Sequence, residues 1–141
     1  MANVVYNGYK LAVAANTINL VTDTIKVLLV TASYTPDQDL DIVLSDIDNE
    51  VAAGGGYATG GIALAGKAVS VDLVNNRAKF TADAATWAAA TLTARGAILY
   101  KDTGVPGTST LITYKDFGSD KTASGGDFTI DWDATGIIRF E

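Results

Sequence analysis

The stretch AVSVDLVNNRAKFTA, Ala68 to Ala82, decides the fold class. Val69, Val71 and Leu73 alternate with Ser70 and Asp72. Beyond Asn75-Asn76 the alternation resumes, with Ala78, Phe80 and Ala82 against Arg77, Lys79 and Thr81. A period of two marks a strand with one face on a core. Asparagine tolerates positive φ, so Asn75-Asn76 reads as a two-residue hairpin turn. That turn predicts Val71 opposite Phe80 and Leu73 opposite Ala78 on a buried face. Asp72 then faces Lys79, and Ser70 faces Thr81, on the wet face, where opposite charges favour the pairing by roughly a few tenths of a kcal/mol.

Outward from the hairpin, further segments read as strands: TIKVLLVT (24–31), RGAILYK (95–101), 110–117, 127–132 and the short 137–140. The first two are apolar on both faces, as central strands are. In the fourth, Phe128, Ile130 and Trp132 alternate with Asp127, Thr129 and Asp131. DTGVPGTS (102–109), GSDKTASGG (118–126) and DATG (133–136) read as turns or loops. The alanine-rich run 82–94 is read as strand and turn. One amphipathic helix is predicted over 36–48: Thr35 as N-cap, Pro36 in the first turn, then Leu40, Val43, Leu44 and Ile47 as an apolar stripe. Many short strands with one helix imply a mainly β protein, an antiparallel sandwich or barrel.

Just before the hairpin lies GIALAGKA, Gly61 to Ala68, one residue short of the phosphate-loop pattern G-x-x-x-x-G-K-[ST]. Ala68 has no hydroxyl to hold Mg²⁺, and a strand follows where the motif needs a helix N-terminus. Ile62 and Leu64 alternate in one phase and Val69 and Val71 in the other. A β-bulge at Gly66 in one bent strand, with Lys67 pointing to solvent, accounts for that switch.

The 141 residues suit a single domain with a real core, 1–141. With neither cysteine nor histidine, the chain lacks disulfides, thiolate nucleophiles and the ordinary zinc and iron ligands. No catalytic, cofactor-binding or metal residue is assigned, and no enzyme activity is expected. The net charge of −6 is local: Asp37, Asp39, Asp41, Asp46, Asp48 and Glu50 carry it, while the remaining ten acids are matched by ten bases. The absence of a basic patch argues against nucleic acid as a partner. No apolar run spans a bilayer, and the amino-terminal sequence lacks a secretory leader's layout, so neither membrane anchor nor signal peptide is expected.

Other groupings have both a functional and a structural reading. Asp37, Asp39 and Asp41 imitate the start of an EF-hand loop, but Ile42 stands where glycine is required and Asp48 where a bidentate Glu belongs. Trp87, Trp132, Tyr57 and Tyr100 could form a sugar platform, although such residues are more often core or interface anchors. Asp131 and Asp133 could pair for glycoside hydrolysis, but their spacing around Trp132 reads as the wet face of a strand entering a turn.

The chain resembles the small head-decoration, or capsid cement, proteins of tailed bacteriophages. The resemblance runs through TDTIKVLLVTASYTPD (22–37), NEVAAGGGYATGGIALAGKAVSVD (49–72), TARGAILYKDTG (93–104) and LITYKDFGSDKTASGGDFTIDWDATGII (111–138). It implies a jelly-roll-like β-sandwich made in the host cytoplasm and placed on the outer surface of the virion. There it would bridge major capsid protein subunits, as a homodimer or homotrimer. Loops 102–109 and 118–126 and exposed edge strands are the expected contacts. A tail- or fibre-associated carbohydrate-binding adhesin is the alternative, and a small carboxylate hydrolase a third reading.

Overall fold

The computed structural model describes residues 2–141. In chain order the elements are β1 (Val4–Val5), α1 (Asn7–Ala14), β2 (Ile25–Val30), β3 (Ile62–Ala63), β4 (Ala68–Asp72), β5 (Arg77–Thr81), β6 (Ala85–Lys101), β7 (Leu111–Ile130) and β8 (Ile138–Phe140), with 3-10 turns at Leu44–Asp46 and Pro106–Thr108. They form two antiparallel sheets, ordered β1-β7-β6-β2-β3 and β4-β5-β8. The chain is mainly β, with the sheets arranged as a sandwich.

The five-stranded sheet is apolar on both faces because its central strands are. Val27 pairs with Leu99 and Leu29 with Ala97; these four face the main core with Trp87, Phe80, Phe128 and Ile130. Leu28 pairs with Ile98 on the opposite face, in a second cluster with Tyr6, Val30, Tyr34, Tyr100, Leu111 and Tyr114. A strand in this position needs continuous apolar sequence, as IKVLLV and AILY supply.

The two long strands β6 and β7 do most to shape the molecule. Phe117 and Phe128, both on β7, meet with ring centroids 6.1 Å apart and planes tilted by 50°. An extended run between them would span about 36 Å, so the ribbon folds back on itself. The corner lies where the partner of β6 jumps from Lys121 at Ala94 to Asp116 at Gly96. Residues 117–120 thus bulge out opposite Arg95, and Gly118 adopts φ 82°. The Asp116 carboxylate fastens the corner, accepting from Arg95 Nε at 2.9 Å and the Gly118 N–H at 3.0 Å. Gly96 is required there, since a Cβ would lie 2.4 Å from the Tyr114 ring. Loop 118–126 is therefore corrected: its start and Gly125 leave the ladder, but Lys121 to Ser124 pair with Ala94 to Thr91. The run 82–94 is strand from Ala85 onward.

The 36–48 helix is corrected too. A single turn forms at Asp37–Asp41, closed by the Asp41 N–H to the Asp37 carbonyl at 3.0 Å. Val43 is then extended (φ −129°, ψ 164°) and bridges to Thr110. The cause is local competition. The Asp37 carboxylate takes the N–H groups of Asp39 and Leu40, and Asp46 takes those of Ile42 and Val43 at 2.9 Å. Side chains that satisfy nearby backbone donors remove the reason to propagate a helix. Leu40, on the predicted apolar stripe, is 73% exposed. The α-helix lies instead at Asn7–Ala14, burying Tyr9 and Ala12 one turn apart. It ends at Asn16 in the left-handed region (φ 58°), with Asn16 N–H on Val13 and Thr17 N–H on Ala12, a Schellman stop.

Candidate interaction surface

The hairpin that decided the fold class is present, two residues out of the predicted register. Val69 faces Phe80, Val71 faces Ala78 and Asp72 faces Arg77. The turn holds four residues, Leu73 to Asn76, with Asn76 carrying the positive φ of 59°. Asp72 explains the longer turn: its carboxylate accepts from the Asn75 N–H and side-chain amide and from Arg77 Nε. Those bonds hold the carboxyl below its ordinary range, Asn75 contributing most. A shift of two keeps every side chain on its face.

The predicted burial, however, is overturned. Phe80 is fully buried, but Val69 is 51%, Val71 68%, Leu73 85% and Val74 93% exposed. The core-side face of the β4-β5-β8 sheet runs past the edge of the core. One cross-strand row, Val69–Phe80–Ile138, begins over the core, and the next, Val71–Ala78–Phe140, lies beyond it. Phe140 is itself partly exposed beside a cleft of about 310 Å³ whose far wall is Tyr9 and Val13 of α1. Exposed apolar side chains grouped this way, on a strand at the edge of a sheet, mark an interaction surface.

A second apolar projection is Val105, in the β6–β7 connection. The loop is rigid: Asp102 accepts the Gly104 N–H at 2.9 Å, and Ser109 Oγ, fully buried, donates to the Val105 carbonyl at 2.9 Å. The adjoining segment is tied on by Leu44 N–H to the Ser109 carbonyl and carries the exposed Ile42. Loop 102–109 thus projects from the sheet.

GIALAGKA lies at a change of sheet. Ile62–Ala63 pairs with β2 in one sheet, and Ala68–Asp72 begins the other, so the phase switch records a crossover and not a bulge within one strand. Gly61 (φ 73°) packs where a Cβ would lie 1.8 Å from the Val27 carbonyl oxygen, and at Gly66 (φ 62°) the Asp83 carboxylate fills the space. Lys67 is half-buried and does not point freely outward: its ammonium turns back to donate to the Asp23 carbonyl.

Of the aromatic platform, Trp87, Tyr57 and Tyr100 are buried. Trp87 meets Tyr57 and Phe128 at 6.0 Å each. Trp132 alone lies near the surface, donating Nε1 to the Asp83 carbonyl at 3.0 Å. It lines a cleft of about 260 Å³ with Asp116, Asp131, Asp133 and Lys115, which adjoins another of about 380 Å³ holding Phe117, Lys121 and Asp127. Asp131 and Asp133 are thus in one groove. Glycoside hydrolysis needs one carboxyl kept protonated by a raised pKa, whereas Asp116 and Asp133 are both shifted down. Burial pushes Asp116 up, but its ion pair and N–H bonds prevail; Asp133 is held down first by the Thr135 N–H and then by its hydroxyl. Lys115 is pushed down by burial and donates to the Ile137 carbonyl.

The acidic segment serves structure. Asp41 accepts from Tyr34 at 2.6 Å, and Tyr34 shares a 2.8 Å bond with Tyr6. Glu50 accepts from Tyr57 at 2.7 Å and from the Gly60 N–H at 2.6 Å. Asp39 accepts from the Asn7 amide. Among the described residues no group of three or more acids is placed to hold a metal ion. Comparison with family models, curated proteins and solved structures returned no match.

Proposed function

We propose that this protein is a non-enzymatic structural component of a tailed-phage virion: a decoration, or cement, protein that docks on the outer surface of the capsid and bridges major capsid subunits. The observation that carries this reading is the pair of exposed apolar groups on hydrogen-bonded supports, the β4–β5 hairpin and the Val105 loop. They belong to different sheets, and bridging requires more than one contact surface. Rigid display lowers the ordering cost of docking, and a protein that binds only the mature shell stabilises it by mass action. The resemblance to cement proteins points the same way.

The test is to add purified protein to expanded, undecorated heads, then measure co-sedimentation and the heads' resistance to heat. Saturable binding with a raised disruption temperature is expected, weakened at least tenfold by Val105→Asp. Heads that neither bind the protein nor gain resistance refute the proposal.

The groove around Trp132, with Phe117, Asp131 and Asp133, favours a second reading, a glycan-binding adhesin. Binding on a glycan array that disappears in Trp132→Ala would support it over the first.

A further inference from the structure

We infer that the β4 edge is occupied by a second copy of this chain, the two β4 strands pairing antiparallel about a two-fold axis through Ser70 to form one six-stranded sheet. This deepens the reading above by naming the unit that docks.

Edge accounting comes first. The outer parts of β6 and β7, 85–94 and 121–130, have only each other as ladder partners, but register shifts between Trp87 and Ala90 and between Ala90 and Thr91 break those edges with bulges. The strands that end the two sheets are β1, β3, β4 and β8. Three are strands of two or three residues, too short to template another chain, and β8 has α1 beside it. β4 has five residues and a single neighbour. Proteins protect such edges with lysine, proline, bulges or inward charges. AVSVD contains none of these except Asp72, which turns back to Arg77 at 3.3 Å, while Arg77 also reaches Glu141.

Self-complementarity selects the occupant. An axis through Ser70 sets Val69 against Val71 of the second copy and Ala68 against its Asp72. Both valine pairs fall on the core-side face, and β-branched cross-strand pairs are favourable. The two Asp72 residues are kept at opposite ends, roughly 13 Å apart for four residues of strand, beyond the screening length of about 8 Å at physiological salt. Leu73 and Val74, the most exposed apolar side chains of this hairpin, extend over the second copy's Gly66–Lys67 turn.

Charge argues the same way. A chain of net charge −6 repels its own copies, so a homotypic contact must avoid the acidic run at 37–50. The hairpin contributes an apolar strand whose one acid is already paired. A cationic partner would find little to bind there, whereas an identical strand fits.

Sedimentation equilibrium tests this directly. The expected species has twice the 14.6 kDa chain mass, and Val71→Lys and Ser70→Pro should each weaken dimerisation at least tenfold, with circular dichroism and melting temperature verifying the fold. Ser70→Cys supplies an independent readout, because the chain has no cysteine of its own. Antiparallel partners on an axis have Cα atoms about 4.5–5.5 Å apart, within disulfide range. Mild oxidation should therefore cross-link Ser70→Cys and leave the exposed control Ser119→Cys monomeric. A monomer throughout, a trimer, a dimer indifferent to these substitutions, or equal cross-linking of both cysteine variants would overturn the inference. A dimer through β4 that fails to bind heads would leave it standing and remove the capsid reading. Heads decorated by a monomer would do the reverse.

Discussion

Replacing Tyr57 by Phe removes one hydroxyl, and the structure sets the size of the effect. β2 has a full partner on one side in β6, but on the other β3 covers only Lys26 and Val27. Where β3 ends, other groups take over the ladder. The Leu29 carbonyl accepts from the Val51 N–H at 2.9 Å, and the Leu29 N–H donates to Tyr57 Oη at 3.0 Å. Tyr57 in turn donates to Glu50, and burial pushes its pKa up, keeping the hydroxyl neutral. Phe at this position strands the N–H of a residue with no exposed surface, at a cost of about 1–3 kcal/mol. Taking about 2 kcal/mol and an unfolding entropy near 0.3 kcal/mol/K for a chain of this length, the melting temperature should fall by about 7 °C. Tyr100→Phe is the internal comparison. Its hydroxyl only donates, to the Gly60 carbonyl at 2.6 Å, so about 1 kcal/mol is expected. Thermal unfolding followed by circular dichroism measures both, and hydrogen exchange at the Leu29 amide should accelerate only in Tyr57→Phe. A Tyr57→Phe protein melting within a degree of the parent, with Leu29 still protected, would refute the view that a side chain stands in for a strand.

Three further outcomes follow from the same geometry. Gly61→Ala meets both a positive φ and the Val27 carbonyl, and should cost about 3 kcal/mol or more in urea unfolding. Gly104→Ala, at φ 82° with open space around it, should cost about 1 kcal/mol. Leu40→Ala should change stability by less than about 0.5 kcal/mol, whereas Ile98→Ala should cost about 2–5 kcal/mol; a large loss at Leu40 would restore the helix over 36–48. Acid should destabilise the fold through carboxylates whose folded pKa lies below the unfolded value. Asp23 is lowered chiefly by the Asn19 N–H, Asp102 by the Gly104 N–H, and Asp116 by its ion pair and N–H bonds against the effect of burial. Such groups bind more protons unfolded, so their contribution is complete above about pH 5 and is lost as the pH falls through and below the ordinary Asp value near 4. Equilibrium unfolding across pH 2–7 should show that decline, shallower in Asp116→Asn.

A run apolar on both faces identified β2, and period-two alternation identified the β4–β5 hairpin, because each keeps one pattern over its whole length. Patterning failed where two signals competed. Over 36–48 the apolar spacing is helical, but the same stretch is full of aspartates that cap their own neighbours, and capping prevailed. At 118–126 the glycines and serines signal a loop, yet they sit on the exposed face of a ribbon whose register comes from a strand some thirty residues earlier. The helix at Asn7–Ala14 had a legible stop at Asn16, but its apolar stripe is only two residues deep. The interaction surface was hidden by a correct observation: Val69 and Val71 do share a face with Phe80. Whether a face meets a core depends on where the core ends, and alternation carries no information about that.

The folded ribbon also determines when this protein can form during its synthesis. β2 is complete by residue 30 and its short partner β3 by residue 63, but its full-length partner is Gly96–Lys101, on a strand held in place by another ending at Ile130. Val4 and Val5 wait still longer in sequence, for Tyr114 and Thr113. Residues up to 130 must leave the ribosome before the five-stranded sheet can close, so until then the nascent IKVLLV segment has only the two residues of β3 and the 50–51 segment to pair with on one side and nothing on the other. Slowing elongation would lengthen that exposure and give no earlier folding in return.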